Sequence, residues 1–140
     1  MNRNVWATIA ASVAVAAVVI LGFRVLGSPG TQRLVQSDLR TVQSLSELAR
    51  QINVKWAGTD KALPKDLEMF ATSVKQDQLS GKSFGYRVKS SKEYELCATF
   101  ATDSREAPVV NKADPWTHPK GDHCFQFDAS QPIPYVPYYY

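Results

Sequence analysis

Residues 5–23 carry nineteen consecutive side chains without a charge. At the helical rise they span about 28 Å, the thickness of a bilayer's hydrocarbon core. Thr8 and Ser12 can return their hydroxyls to carbonyls one turn back, and Trp6 sits where an interfacial aromatic belongs. A cleaved signal peptide is the rival, with Arg3 as its basic start and Val25, Leu26 and Gly27 near a processing site. The apolar run exceeds an ordinary signal core and Arg24 lies close to that site, so the expectation is a retained transmembrane helix over residues 5–26. Gly27, Ser28, Pro29 and Gly30 then predict a hinge over residues 27–31. Beyond it Val35, Leu39, Val42, Leu45, Ala49, Ile52 and Trp56 recur every three or four residues, one stripe of an amphipathic helix. Gln36, Asp38, Arg40, Gln43, Glu47, Arg50 and Asn53 fall between and are expected to face water. Gly58, Thr59 and Asp60 stop that helix.

Leu63, Leu67, Phe70 and Val74, behind Pro64, predict a short second helix. After it the period changes to two. Phe84, Tyr86 and Val88 alternate with Gly85, Arg87 and Lys89; Ser90, Ser91 and Lys92 turn the chain; Tyr94, Leu96, Ala98 and Phe100 alternate with Glu93, Glu95, Cys97 and Thr99. That is a hairpin with one apolar face, and a third strand over residues 123–128 repeats the pattern with Phe125 and Phe127. The fold class is therefore α+β: an N-terminal transmembrane helix, then a long amphipathic helix packed on a three-stranded antiparallel sheet. Cys97 and Cys124 both fall on the face opposite the aromatic residues. If the three apolar rows share one face, the two thiols meet across neighbouring strands as a disulfide; a reduced pair of thiols is the alternative.

Composition adjusts this picture at one point. The 140 residues hold 16 Lys and Arg against 13 Asp and Glu, a formal charge of +3. The first 30 residues contain Arg3 and Arg24 and no acid, so the part beyond residue 30 is nearly neutral. Phosphate recognition needs a concentrated basic excess, so no nucleic-acid partner is expected. Arg3 on one side of the span and Arg24, Arg33 and Arg40 on the other leave the orientation undecided by charge. An even pair of cysteines suits an oxidising compartment. The expected topology is a single pass through the bacterial cytoplasmic membrane, with residues 1–4 in the cytoplasm and a domain of residues 32–128 outside it.

Chemistry is sparse. His118, His123, Cys97 and Cys124 could in principle hold zinc, but their intervals fit no standard ligand spacing and a disulfide would consume both thiolates. Ser104, His118 and Asp114 lack a nucleophile elbow or an oxyanion loop. Glu93 and Glu95 lie at strand spacing, where a solvated surface is the usual role. No catalytic, cofactor or metal site is expected, and the chain is expected not to be an enzyme. The long segment of residues 103–122 and the Pro- and Tyr-rich tail of residues 129–140 are the expected contact regions. Trp116, His118, Tyr138, Tyr139 and Tyr140 are the candidate partner-binding residues. The partners expected are the lipid bilayer and other envelope proteins, with self-association open.

Several segments resemble type IV pilins and the pseudopilins of type II secretion. They are Leu63-Pro64 with Leu67, the run DQLSGKSFGY of residues 77–86, and YELCATF of residues 94–100. WTHPKGDHCFQF of residues 116–127, taken with YELCATFATDS, resembles a motif pair of uncharacterised bacterial membrane proteins of pilin-like type. The resemblance implies a membrane helix leading into a long helix and a small sheet, and it implies a filament subunit packing laterally through the membrane helix and the Val35-to-Trp56 stripe. The chain departs from the family at the processing site: Gly22 and Phe23 come at the end of the apolar run, and no Glu follows inside the membrane. The expected function is therefore a permanently anchored interaction or scaffold protein of the cell envelope, with the filament subunit as the alternative and a tethered hydrolase or metalloprotein behind both.

Overall fold

A computed structural model describes residues 3–26, 29–58, 61–70, 75–77, 81–106 and 114–136. The chain forms two compact units, Met1–Arg33 and Leu34–Tyr140. In the first, helix α1 runs over Arg3–Leu26. Its stretch Val5–Gly22 has a mean hydropathy of 2.3 and none of it is buried, so this helix is long and apolar enough to cross a membrane. Ser12 donates its hydroxyl to the Thr8 carbonyl at 3.0 Å, which satisfies the polar group inside the helix itself. Helix α2 spans Pro29–Gly58. Proline suits a first helical turn because its missing N–H would be unpaired there anyway. Of the expected hinge of residues 27–31, Pro29, Gly30 and Thr31 belong to α2, and Gly27 and Ser28 lie outside the described residues.

In the second unit the stripe of α2 makes the core. Val42, Leu45, Ala49 and Ile52 are buried, Leu39 and Trp56 are half-buried, and Val35 is exposed, one turn short of the sheet. The buried band is wider than a single stripe, because Leu48 is fully buried beside it. Asp38 and Thr41 are buried as well, so Asp38 does not face water as its place among polar residues implied.

Strands β1 (Gly85–Val88), β2 (Glu93–Phe100) and β3 (Gly121–Asp128) form one antiparallel sheet in the order β1-β2-β3. Tyr86 stands opposite Leu96, Leu96 opposite Phe125 and Tyr94 opposite Phe127, so the apolar rows do share a face. That face meets α2: the Tyr94 hydroxyl reaches the Ala49 carbonyl at 3.1 Å and Asn53 Oδ1 at 2.7 Å, while its ring stacks on Phe127. β3 starts two residues earlier than its alternation suggested. Gly121 sits at φ +100°, a conformation open to glycine, and turns the chain into the strand.

Residues 61–70 contain turns and bends and no helix, correcting the expected second helix. Two side-chain bonds explain this. Asp66 Oδ1 accepts from the Glu68 amide at 3.0 Å, a turn that competes with helical pairing, and the Pro64 carbonyl accepts the Tyr86 hydroxyl at 2.8 Å. Leu63, Leu67 and Phe70 still pack on the core, as their spacing required; Val74 lies outside the described residues.

Burial pushes the Tyr86 phenol up to about 12, and burial followed by the neighbouring Tyr86 pushes Tyr94 up too. Above pH 10 the unfolded chain loses these protons while the folded chain keeps them, so stability present below pH 10 drains away as pH rises toward 12. Urea midpoints should fall over that interval, and Tyr86→Phe should flatten the fall.

Candidate functional site

The sheet face opposite the core carries Gly85 and Arg87 from β1, Glu93, Glu95, Cys97 and Thr99 from β2, and Asp122, Cys124, Gln126 and Asp128 from β3. Alternation puts them there, since each lies one residue from a core position. Cys97 and Cys124 are register partners, with Cα atoms 4.0 Å apart, and are joined as a disulfide. The cysteine parity read from sequence thus holds. Gly85 stands beside the pair, where a Cβ would come 3.0 Å from Cys97 Cβ. Glycine here keeps the approach of β1 to the disulfide clear.

Next to this bridge lies a groove of about 260 Å³, lined by Asp77, Lys82, Gly85, Cys97, Thr99 and Asp122 among others. Thr99 Oγ1 donates to Asp122 Oδ1 at 2.5 Å and ties β2 to β3 at this end. At the other end Lys92 Nζ lies 2.9 Å from Asp128 Oδ2. The Ser130 hydroxyl beside Asp128, and then Lys92, hold that carboxyl at about 2. Between them Glu95 is 6% exposed, which corrects its expected role as solvated surface. Lys89 Nζ lies 2.9 Å from Glu95 Oε1 and Arg87 Nη1 lies 3.5 Å from Oε2, and Gln126 donates from β3 at 3.3 Å. The Lys89 hydrogen bond is the largest of the influences that hold the Glu95 carboxyl below the ordinary range. One carboxylate thereby crosslinks all three strands. Glu93, by contrast, is exposed.

Two expected contact residues are core residues instead. Trp116 is 5% exposed, tilts against Phe125 and Phe127 with ring centroids 5.2 and 5.6 Å away, and donates from Nε1 to the Pro134 carbonyl. His118 is 3% exposed and stacks on Phe100 at 3.8 Å. Neither offers its ring to a partner, and the reason is non-local: the segment entering β3 folds back under the aromatic row. Ser104 Oγ pairs with the His118 main chain, accepting from its amide at 2.8 Å and lying 3.2 Å from its carbonyl, rather than with the imidazole. The Asp114 carboxylate accepts the Trp116 amide, so Ser104, His118 and Asp114 serve the loop's own turns.

The tail is likewise docked at its start. Ala129 is buried and Ile133 and Val136 pack on the core, while Tyr138, Tyr139 and Tyr140 lie outside the described residues. His123 packs edge-on against Phe125. Among the described residues no three His, Cys, Asp or Glu side chains converge as a metal site.

Sequence reasoning missed the residue that holds the long segment in place. Asp38, on α2, accepts from the Ala101 amide at 2.8 Å, the Thr102 amide at 2.7 Å and the Thr102 hydroxyl at 2.6 Å. Its one signal was its position: three residues before Thr41 and four before Val42, on the core side of the helix.

Burial holds the His118 imidazole below its ordinary value of 6.5. The unfolded chain therefore gains a proton first as pH falls, and stability present above pH 6.5 is lost on acidification below it. His118→Phe, which keeps the stacking partner of Phe100, should flatten the acid limb of a stability-versus-pH curve; an unchanged slope would assign that limb to other groups.

Comparison with known protein families, with characterised proteins and with solved structures finds none that matches this chain. The architecture is loosely pilin-like: an apolar N-terminal helix, a second long helix and a three-stranded antiparallel sheet.

Proposed function

We propose that this chain is a non-enzymatic interaction or scaffold module of the bacterial cell envelope, anchored in the cytoplasmic membrane by α1 with the sheet domain outside. The observation that carries this reading is the Cys97–Cys124 bridge, in a chain whose N-terminal helix is apolar enough to cross a bilayer. Structural disulfides persist where the compartment is oxidising, which supports a domain on the far side of the membrane from the cytoplasm. The polar disulfide face, with its groove, is the surface offered to partners.

The pilin-like filament subunit is less well supported. Lateral packing would use the membrane helix together with the α2 stripe, and in that stripe Val42, Leu45, Ala49 and Ile52 are already buried within the chain's own domain.

Membranes washed with alkaline carbonate, and spheroplasts treated with external protease, test this directly. The full chain should stay in the washed membrane pellet and its domain should be digested from outside. Release by carbonate would remove the anchor, and full protection of the domain would reverse the topology.

A further inference from the structure

We infer that the Cys97–Cys124 bridge is a site of thiol–disulfide exchange, at which a dithiol partner attacks Cys97 Sγ through the groove beside Gly85 and expels Cys124. The inference deepens the reading of the disulfide face as the partner surface and rests on it.

The sheet register sets the direction of approach. Gly85, Cys97 and Cys124 stand in one row across the three strands. A thiolate displaces a disulfide sulfur from the side opposite the sulfur that leaves. For attack on Cys97 the leaving sulfur belongs to β3, so the approach comes from β1, over Gly85. A Cβ at that position would lie 3.0 Å from Cys97 Cβ and 3.6 Å from Cys97 Sγ, so any side chain there would cover the sulfur. The backbone does not ask for glycine at this point, since the described glycines with positive φ are Gly81 and Gly121. The groove of about 260 Å³ opens at the same place, and among the described residues its lining includes Gly85 and Cys97 and leaves out Cys124. Drug-sized ligands fill pockets of roughly 300 Å³ or more, so this one suits a cysteine side chain with its adjoining main chain.

Exposure decides which sulfur leaves. Cys124 is exposed on an edge strand, while Cys97 is half-buried. A thiolate released at Cys124 is hydrated at once, and one released at Cys97 would be partly desolvated. The fold tolerates the opening, because β3 stays tied by Thr99 to Asp122 at 2.5 Å, by Gln126 to Glu95 at 3.3 Å and by Lys92 to Asp128 at 2.9 Å.

The exchange balances as two displacements. The partner's thiolate bonds to Cys97 Sγ, the Cys97–Cys124 bond breaks, and the electron pair leaves on Cys124 Sγ, which takes a proton from water. The partner's second thiol, deprotonated, then bonds to the partner's first sulfur, and Cys97 leaves as a thiolate that takes a second proton. One dithiol is oxidised to its disulfide, and the cysteine pair gains two electrons and two protons. The second thiol is what selects the partner. Against a monothiol, Cys124 remains beside Cys97 as an intramolecular nucleophile that expels the adduct and restores the bridge. Only a partner with its own second thiol competes with that reclosure.

The test uses the purified full chain in detergent, near neutral pH. Dithiothreitol should open the bridge at a rate that rises linearly with its concentration and does not change in urea below the unfolding transition. Excess glutathione, with free thiols blocked by a maleimide at intervals, should leave its adduct on Cys97 and the maleimide on Cys124. Gly85→Ala sets a methyl against Cys97 and should slow opening by about tenfold. Ser83→Phe narrows the groove from an exposed position whose hydroxyl accepts from Gln76 at 3.4 Å, away from the bridge itself, and should slow opening in the same direction. Opening that follows the unfolding transition, a glutathione adduct on Cys124, or rates unchanged in both variants would each overturn the inference. A bridge inert to dithiols would leave the carbonate and protease results unaltered, and a released or protected domain would leave exchange by the purified chain unaltered, so the two readings fail separately.

Discussion

Replacing Cys97 and Cys124 together by alanine is expected to cost about 3.5 kcal/mol, the loop-closure entropy of a crosslink at this spacing. The two cysteines lie 27 residues apart and close a loop containing the long segment that links β2 to β3. Without the bridge the unfolded chain regains that loop's freedom, while the folded sheet keeps its other ties. Thr99 with Asp122 and Lys92 with Asp128 still clip the ends, but both are exposed or partly exposed pairs of small individual worth. For a domain of this size the loss corresponds to a drop of about 15 °C in thermal midpoint. Thermal unfolding of the double variant and of the reduced native chain should agree within a few degrees. A change of only two or three degrees would mean that the rest of the sheet already restrains β3 in the unfolded ensemble.

Asp38→Ala is expected to cost about 3 kcal/mol, because three donors at the end of β2 lose their shared acceptor together. The Ala101 amide, the Thr102 amide and the Thr102 hydroxyl all converge on one carboxylate. Asp38 is 4% exposed, so water has little access to replace it. Asp38→Asn should recover little, since its amide NH₂ would face a main-chain N–H. The loss should also be local in character: amide exchange should speed up first over residues 100–105. Uniform acceleration across the sheet would assign Asp38 a global role in place of this capping one.

The two effects differ in how far sequence could foresee them. The disulfide was legible because strand alternation has a period of two, and Cys97 and Cys124 both fell out of phase with their aromatic neighbours. The α2 stripe and the three strands were legible for the same reason of period. Asp38 was not, since the groups it caps lie more than sixty residues away along the chain. Residues 61–70 failed in a similar manner: the apolar spacing correctly marked Leu63, Leu67 and Phe70 as core, but the Asp66 side chain and the distant Tyr86 hydroxyl took the main-chain groups a helix needs. Trp116 and His118 looked like contact residues because long loops usually lie on the surface, whereas here His118 stacks on Phe100 of β2 and Trp116 packs on Phe125 of β3. Glu95 fell on the polar face as expected, but its neighbours Lys89, Arg87 and Gln126 close over it.

The most direct measurement is the number of alkylatable thiols in cells, counted by mass shift under denaturing, non-reducing conditions. In the full chain Cys97 and Cys124 should both be blocked, and removal of α1 should leave the domain in the cytoplasm with two free thiols. Two free thiols in the full chain would refute an oxidising location for the domain, and a blocked pair without α1 would show that the helix does not determine where the domain resides.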